Sequence, residues 1–250
     1  MQRAYPLRAD RPAVFDLRWR DGHPVPPLNR IPPTVSLRDH FGPVRDQGAE
    51  GSCSAQSGVA VVEALWHQAH GERVVLSPAF LYQIERMLQG DVQDDTGARL
   101  RITQAALMAY GVCPEADDPY TPADFIVPLT ARLIADARPY RIARGWWAPT
   151  LEEICAALAA GFPVQIGLIV TRTFESEAVA RTGQVPLPPP GDPILGGHAM
   201  AAYGYDRPAA VVWARNSWGP QWGKGGDCAI PFAYFRDPRL FLSARVYSLT

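Results

Sequence analysis

Helical and strand signals occupy different parts of this chain, and that separation constrains the fold more than any other feature. Val59, Val62, Trp66 and Ala69 recur at helical spacing, with Ser52 as N-cap, Cys53 as first helical residue and Gly71 as the stop. Ser77-Pro78 marks a second start, because proline is pre-set for the first helical position. Phe80, Leu81, Ile84, Met87 and Leu88 form its apolar stripe, and Gly90 ends it. Residues 103–110 read as a third helix before Gly111; Thr150 and Glu153 make a capping box for a fourth that stops at Gly161. After that the pattern changes, and residues 164–170, 198–205 and 209–215 read as strands. Helices first and strands later predict an α+β protein. The 250 residues suffice for one large domain or two lobes sharing an interface. The 25 prolines, about twice the usual share, predict much extended and turning backbone. The stretch 180–197 holds five of them and reads as a stiff surface loop.

Charge and composition exclude several functions. Twenty-four basic and 25 acidic residues leave a net charge of −1, so no global field draws the chain to nucleic acid or to a membrane. No stretch approaches the roughly 20 apolar residues of a membrane span. The first residues hold no apolar run of signal-peptide length, which predicts a cytoplasmic protein or one exported without a cleaved signal. Cys53, Cys113, Cys155 and Cys228 show no C-x-x-C pairing and no nearby histidine at zinc-finger spacing, so no structural metal is expected. Cys113, Cys155 and Cys228 read as small buried hydrophobes. Residues 1–30, with six arginines, three aspartates and five prolines, read as an N-terminal arm rather than a packed domain.

Cys53 differs because it follows the glycine-rich turn Gly48-Ala-Glu-Gly-Ser at a helix start. Free N–H groups and a partial positive charge there favour thiolate over thiol. Gln47, six residues upstream, is a neutral side-chain donor. A nucleophilic thiolate needs a proton carrier. His23, His40, His67 and His70 read as structural, whereas His198 stands out by register. A hairpin turn at 206–209 makes opposed residues sum to about 414, so His198 faces Asn216 at the open end. An amide beside an imidazole fixes its ring orientation and tautomer. Nucleophile, base and orienter, in the order Cys, His, Asn, suit covalent amide hydrolysis.

The segments DQGAEGSCSA, GGHAMAAYGYD and ARNSWGPQWGKGG together resemble the papain-like cysteine peptidases in order and spacing, with 145 residues from Cys53 to His198 and 18 more to Asn216. The resemblance covers 31–250 and begins at IPPTVSLR. It implies a two-lobed fold, a helical left lobe and an antiparallel β right lobe, with the active-site cleft between them. It further implies Cys53 as nucleophile, His198 as acid/base, Asn216 as orienter, and Gln47 with the Cys53 backbone N–H as oxyanion hole. Trp218 would shield the His–Asn contact, and Gly97 and Gly197 would meet substrate backbone. The implied enzyme is a monomeric endopeptidase acting on peptides or proteins without metal or cofactor. The same thioester could serve acyl transfer or deamidation, and the fold could serve as a silent binding module.

Some positions depart from the family's pattern. Ser54 stands where animal and plant enzymes usually carry Trp, and Glu50 replaces a cysteine, removing the first disulfide and agreeing with a reducing compartment. Asp95-Thr-Gly-Ala98 replaces a Gly-Gly pair, and Gly197 an Asp or Asn; these changes resemble bacterial members. The arm, with apolar anchors Tyr5, Leu7, Val14, Phe15, Leu17 and Trp19, reads either as a segment packed on the back of a lobe or a tail, or as a short pro-segment lying in the cleft.

Overall fold

The structure is a computed structural model and describes residues 3–10, 13, 16–121, 126 and 128–249. Its helices are α1 (Trp19–Gly22), α2 (Cys53–His70), α3 (Pro78–Gln89), α4 (Leu100–Ala109), α5 (Ala131–Ala137), α6 (Leu151–Ala159), α7 (Glu177–Thr182) and α8 (Phe232–Arg236). Its strands are β1 (Thr34–Ser36), β2 (Arg144–Trp147), β3 (Val164–Thr171), β4 (Ile194–Asp206), β5 (Val211–Arg215), β6 (Asp227–Pro231) and β7 (Phe241–Ser248). The strands form one antiparallel sheet in the order β2-β7-β3-β4-β5-β6, with β1 added to β4. This is the expected α+β architecture.

Two apolar cores meet at the sheet because strand side chains alternate between its faces. On β4, Met200 and Ala202 face a core shared with α6, α8 and β3, while Ala201 and Tyr203 face the core of the helical half. That second core joins Val59 and Leu65 of α2 to Phe80, Leu81 and Ile84 of α3 and Leu107 of α4. α2 therefore crosses behind β4, which places its N-terminus, and Cys53, at the seam between the halves.

Local expectations hold in part. Ser77 caps α3, its hydroxyl accepting from the Phe80 N–H at 3.1 Å. The third helix begins at Leu100 rather than 103, with Leu100 buried beside Cys53. The Thr150 hydroxyl accepts from the Glu153 N–H, but Glu153 does not complete a capping box. Its buried carboxylate instead takes Arg18 at 2.8 Å and Arg20 at 3.2 Å, charged partners that outbid a neutral N–H. The proline stretch is more ordered than a loop, since it includes the end of α7, the start of β4 and a bridge from Gln184 to Ala229. The hairpin register also differs. Asp206 pairs with Val211, a sum of 417, and a bulge near Ala202 reduces it to 416 at Ala201–Arg215.

Residues of the arm are built into the body. Trp19 is fully buried in the sheet-side core, stacked on His23 at 3.7 Å and edge-on to Trp146 and Phe162. Arg245 of β7, 1% exposed, holds Asp10 at 2.9 Å and Asp16 at 3.1 Å, and Arg101 also pairs with Asp16. Leu17 is exposed; Val14 and Phe15 lie outside the described residues.

Candidate active site

Cys53 is the first residue of α2 and is fully buried. Ser52 occupies the N-cap position but does not cap with its side chain. Its hydroxyl pairs with the Tyr120 hydroxyl at 2.7 Å, because Tyr120 is also drawn to the Gln47 carbonyl at 2.9 Å. The first N–H groups of α2 thus keep their unscreened partial charge at the thiol. The turn before it is held by Asp95, whose carboxylate accepts from the Gly51 N–H at 2.9 and 3.0 Å and from the Tyr82 hydroxyl.

His198 and Asn216 meet although the expected register was shifted. Continuing the 416 register would set Met200 opposite Asn216, so His198 reaches Asn216 on a diagonal. The contact is 2.7 Å from His198 Nε2 to Asn216 Oδ1. The same Oδ1 accepts from the Ser217 N–H at 2.8 Å. A backbone N–H can only donate, so this amide atom must be oxygen, and Nε2 must carry the proton it donates. A neutral ring then presents a bare Nδ1, which is buried and without a partner among the described residues. Trp218 lies over the ring, 4.7 Å between centroids, and shields the pair from solvent.

Gln47 is also fully buried, and its amide is oriented by two neighbours. Nε2 donates to the Glu50 carbonyl at 2.7 Å, and Oε1 accepts from the Ser217 hydroxyl at 2.6 Å. The Gln47 N–H donates to the Ser217 carbonyl at 2.9 Å, tying the Gln47 segment to the Asn216 segment. One Nε2 proton is committed and the second is left for a ligand.

The arm runs across this site. The Leu7 N–H donates to the Gly197 carbonyl at 3.2 Å, and the Gly197 N–H to the Tyr5 carbonyl at 3.1 Å. A Cβ at Gly197 would lie 2.1 Å from the Leu7 carbonyl oxygen, so only glycine admits a chain here. Leu7 packs against Cys53, Leu100, Ala199 and Leu242. Tyr5 stands edge-on to His198 and Trp218, and the Arg3 guanidinium sits 4.6 Å over the Trp218 ring. Pro6 fills the notch at Gly97, where a Cβ would come within 2.4 Å of it. Gly97 lines the cleft, but its backbone groups are engaged: its N–H donates to Tyr82 Oη at 3.0 Å and its carbonyl accepts from Gln89 at 2.8 Å.

With the arm in place the site is dehydrated, and both ionisations are suppressed. Burial pushes the Cys53 thiol up to about 12, outweighing the pull of the Ala199 and Ser54 N–H groups on the sulfur. Burial lowers His198 to about 4; the hydrogen bond to Asn216 opposes this and the Arg3 charge adds to it. Under the arm the Cys53 thiol and the His198 imidazole are therefore both held toward their neutral forms. Glu50 is buried with both oxygens unpartnered among the described residues, and burial with the Asp95 charge pushes its carboxyl up to about 8. All four cysteines are unpaired.

Sequence reasoning missed Asp95, Ser217 and Tyr120. Each lies in or beside a segment that carries a local signal: Asp95 opens Asp95-Thr-Gly-Ala98, Tyr120 ends Asp118-Pro-Tyr120 and Ser217 follows Asn216 in the Asn-Ser-Trp-Gly run, but no signal shows that the first two reach the turn before Cys53. No group of three or more His, Cys, Asp or Glu among the described residues is arranged to hold a metal ion.

Comparison with known proteins agrees with this geometry. Residues 31–231 match the model of the papain family cysteine proteases. An uncharacterised peptidase C1-like protein of Acanthamoeba polyphaga mimivirus is 34% identical over 206 residues, 78% of this chain and 66% of that protein. Cysteine protease 1 of Oryza sativa subsp. japonica is 31% identical, over 80% of this chain and 40% of its own length. The chain thus spans about two-fifths to two-thirds of these curated relatives. Among solved structures, xylellain, a cysteine protease from Xylella fastidiosa, superposes with a TM-score of 0.88 at 27% identity, covering 100% of this chain and 98% of that one. With a family match over residues 31–231 and a close structural superposition on a bacterial cysteine protease, the chain belongs to the papain family of cysteine proteases.

Proposed function

We propose that the chain is a cysteine endopeptidase and that residues 3–9 of its arm plug its own cleft. In the open site, His198 Nδ1 takes the Cys53 proton and the thiolate attacks the carbonyl carbon of a peptide bond. The second Gln47 Nε2–H and the Cys53 backbone N–H receive the developing oxyanion. The intermediate collapses to a thioester as the departing amine takes the proton from His198. Water, deprotonated by His198, then adds to the thioester, and the thiol leaves with that proton. Asn216 keeps the ring in its Nε2–H tautomer throughout, and Trp218 keeps water from that bond. The observation that carries this reading is the Ser217 N–H bond to Asn216 Oδ1, which leaves Nδ1 free to accept a proton. Hydrolysis of a fluorogenic peptide library, with Cys53→Ala as control, tests it. Equal turnover by the two proteins would end it.

The plug reading is supported by the backbone pairing of Tyr5 and Leu7 with Gly197 and by the loss of charge on Cys53 and His198 beneath them. The anchors at Asp10, Asp16 and Trp19 lie outside the cleft, so the plug is a short tethered tip on an integrated arm. Deleting residues 1–9 should raise kcat/KM, and a peptide of residues 3–9 should then inhibit competitively. Deleting 1–30 would also remove Trp19 from the core and leave Arg245 buried without its partners, so the shorter truncation is the clean test.

A further inference from the structure

Glu85 is a fully buried carboxyl one side chain away from the residue after the nucleophile, and the scheme above gives it no part. It sits midway along α3. The Ser54 hydroxyl donates to its Oε2 at 2.7 Å, and the Thr103 hydroxyl, from α4, to its Oε1 at 2.5 Å. Ser54 is one of the departures from the family's pattern, and this bond gives that departure a structural use. On its other side, Gln165 of β3 donates Nε2 to the Ser54 carbonyl at 2.7 Å and to the Ser57 hydroxyl at 2.9 Å. Tyr247 of β7 donates to Gln165 Oε1. The first turn of α2 is thus gripped from α3 and from the sheet. Such networks are strong when complete, because the buried groups have no water to turn to.

The grip also carries a charge. Burial pushes the Glu85 carboxyl up to about 7, while the Thr103 and Ser54 hydroxyls and the Arg86 charge pull it back. The titratable groups facing it are Arg86 on its own helix, Cys53 from α2 and Tyr247 from β7; α4 and β3 present the neutral Thr103 and Gln165. A charge on Glu85 pushes the Cys53 thiol upward, as does Asp95.

We propose that Glu85 is a positioning residue for Cys53: through Ser54 it pins the first turn of α2, and its ionisation weakens the nucleophile by setting a negative charge near the thiolate. This rests on Cys53 being the nucleophile. The test is the rate of Cys53 alkylation by iodoacetamide, read by peptide mass spectrometry on the full chain between pH 5 and 9.5. Wild type, Glu85→Gln and Thr103→Val are compared. The fraction of molecules with the arm open enters each rate and cancels in their ratio. Glu85→Gln keeps the side-chain shape without charge, one of the two hydroxyls turning to accept from the amide NH2. Its rate should match wild type below pH 6 and exceed it above pH 8, where removing the negative charge lets more of the thiol ionise. Thr103→Val loses a bond that favours the carboxylate, so the alkaline weakening should move to higher pH. Superimposed profiles, or a Glu85→Gln rate lowered equally at every pH, would overturn the proposal. If Glu85→Gln does not fold, an unshifted Thr103→Val profile overturns it alone. A wild-type Cys53 no more reactive than Cys113, Cys155 and Cys228 would instead remove the nucleophile reading and this proposal with it.

Discussion

Shortening Leu7 to alanine tests the plug at its most buried contact. Leu7 is 4% exposed, and its side chain lies against Cys53, Leu100, Ala199 and Leu242. A Cβ added at Gly167 would fall 2.8 Å from its Cδ2, so the pocket wall is tight on that side as well. Leu7→Ala deletes three buried carbon groups at about 0.8 kcal/mol each, or about 2.4 kcal/mol of docking free energy. At about 1.4 kcal/mol per decade, the closed-to-open ratio of the arm falls about fifty-fold. The anchors at Asp10, Asp16 and Trp19 are untouched, so the global melting temperature should hardly move. The assay is kcat/KM on a short fluorogenic peptide, with active sites counted by a thiol-directed inhibitor. An increase of up to about fifty-fold is expected, mirrored by faster Cys53 alkylation. Unchanged kcat/KM in a folded Leu7→Ala protein whose Cys53 still alkylates would refute the plug.

Other outcomes follow from the same geometry. Gln47→Ala should lower kcat by about 10²–10³ through loss of one oxyanion donor; His198→Ala should be more severe, and Asn216→Ala milder than His198→Ala, as measured with the arm tip deleted. Because His198 is held near 4 under the arm against an ordinary 6.5, the docked state binds fewer protons between those values, so docking weakens as pH falls through that window. Inhibition of the 1–9 deletion by the 3–9 peptide should therefore be weaker at pH 5 than at pH 7, and a stronger inhibition at pH 5 would contradict the sign. Arg245→Ala strands the buried Asp10 without its cation, while Asp16 keeps Arg101, and should cost about 3–5 kcal/mol in chemical denaturation. Gly167→Ala narrows the Leu7 pocket and should select against leucine-sized side chains in a peptide library, leaving smaller ones unaffected.

The chain's local patterns determined a good deal. Helix starts at Cys53 and Pro78 and strands near Val164, His198 and Val211 are legible because caps, glycine stops and side-chain period act over a few residues. The same is true of the candidate cluster: Cys53, Gln47, His198, Asn216 and Trp218 sit in short motifs recognisable by residue type and order. Register was less legible. The turn after Asp206 sets the pairing at a sum of 417 rather than 414, and the bulge near Ala202 brings it back to 416, so every opposed pair lies two or three positions off the expected register. Tertiary structure alone decided the rest. Asp10 and Arg245 are 235 positions apart, as are few pairs in the chain, and only the approach of the arm to β7 makes them partners. Glu85, Thr103 and Ser54 lie on three helices, and nothing in any one helix marks them as a unit. The charge states of Cys53 and His198 depend on how much water reaches them, and that is set by whether Tyr5 and Leu7 lie across the cleft. Burial and electrostatics sum over all neighbours in space, and sequence order carries almost none of that information.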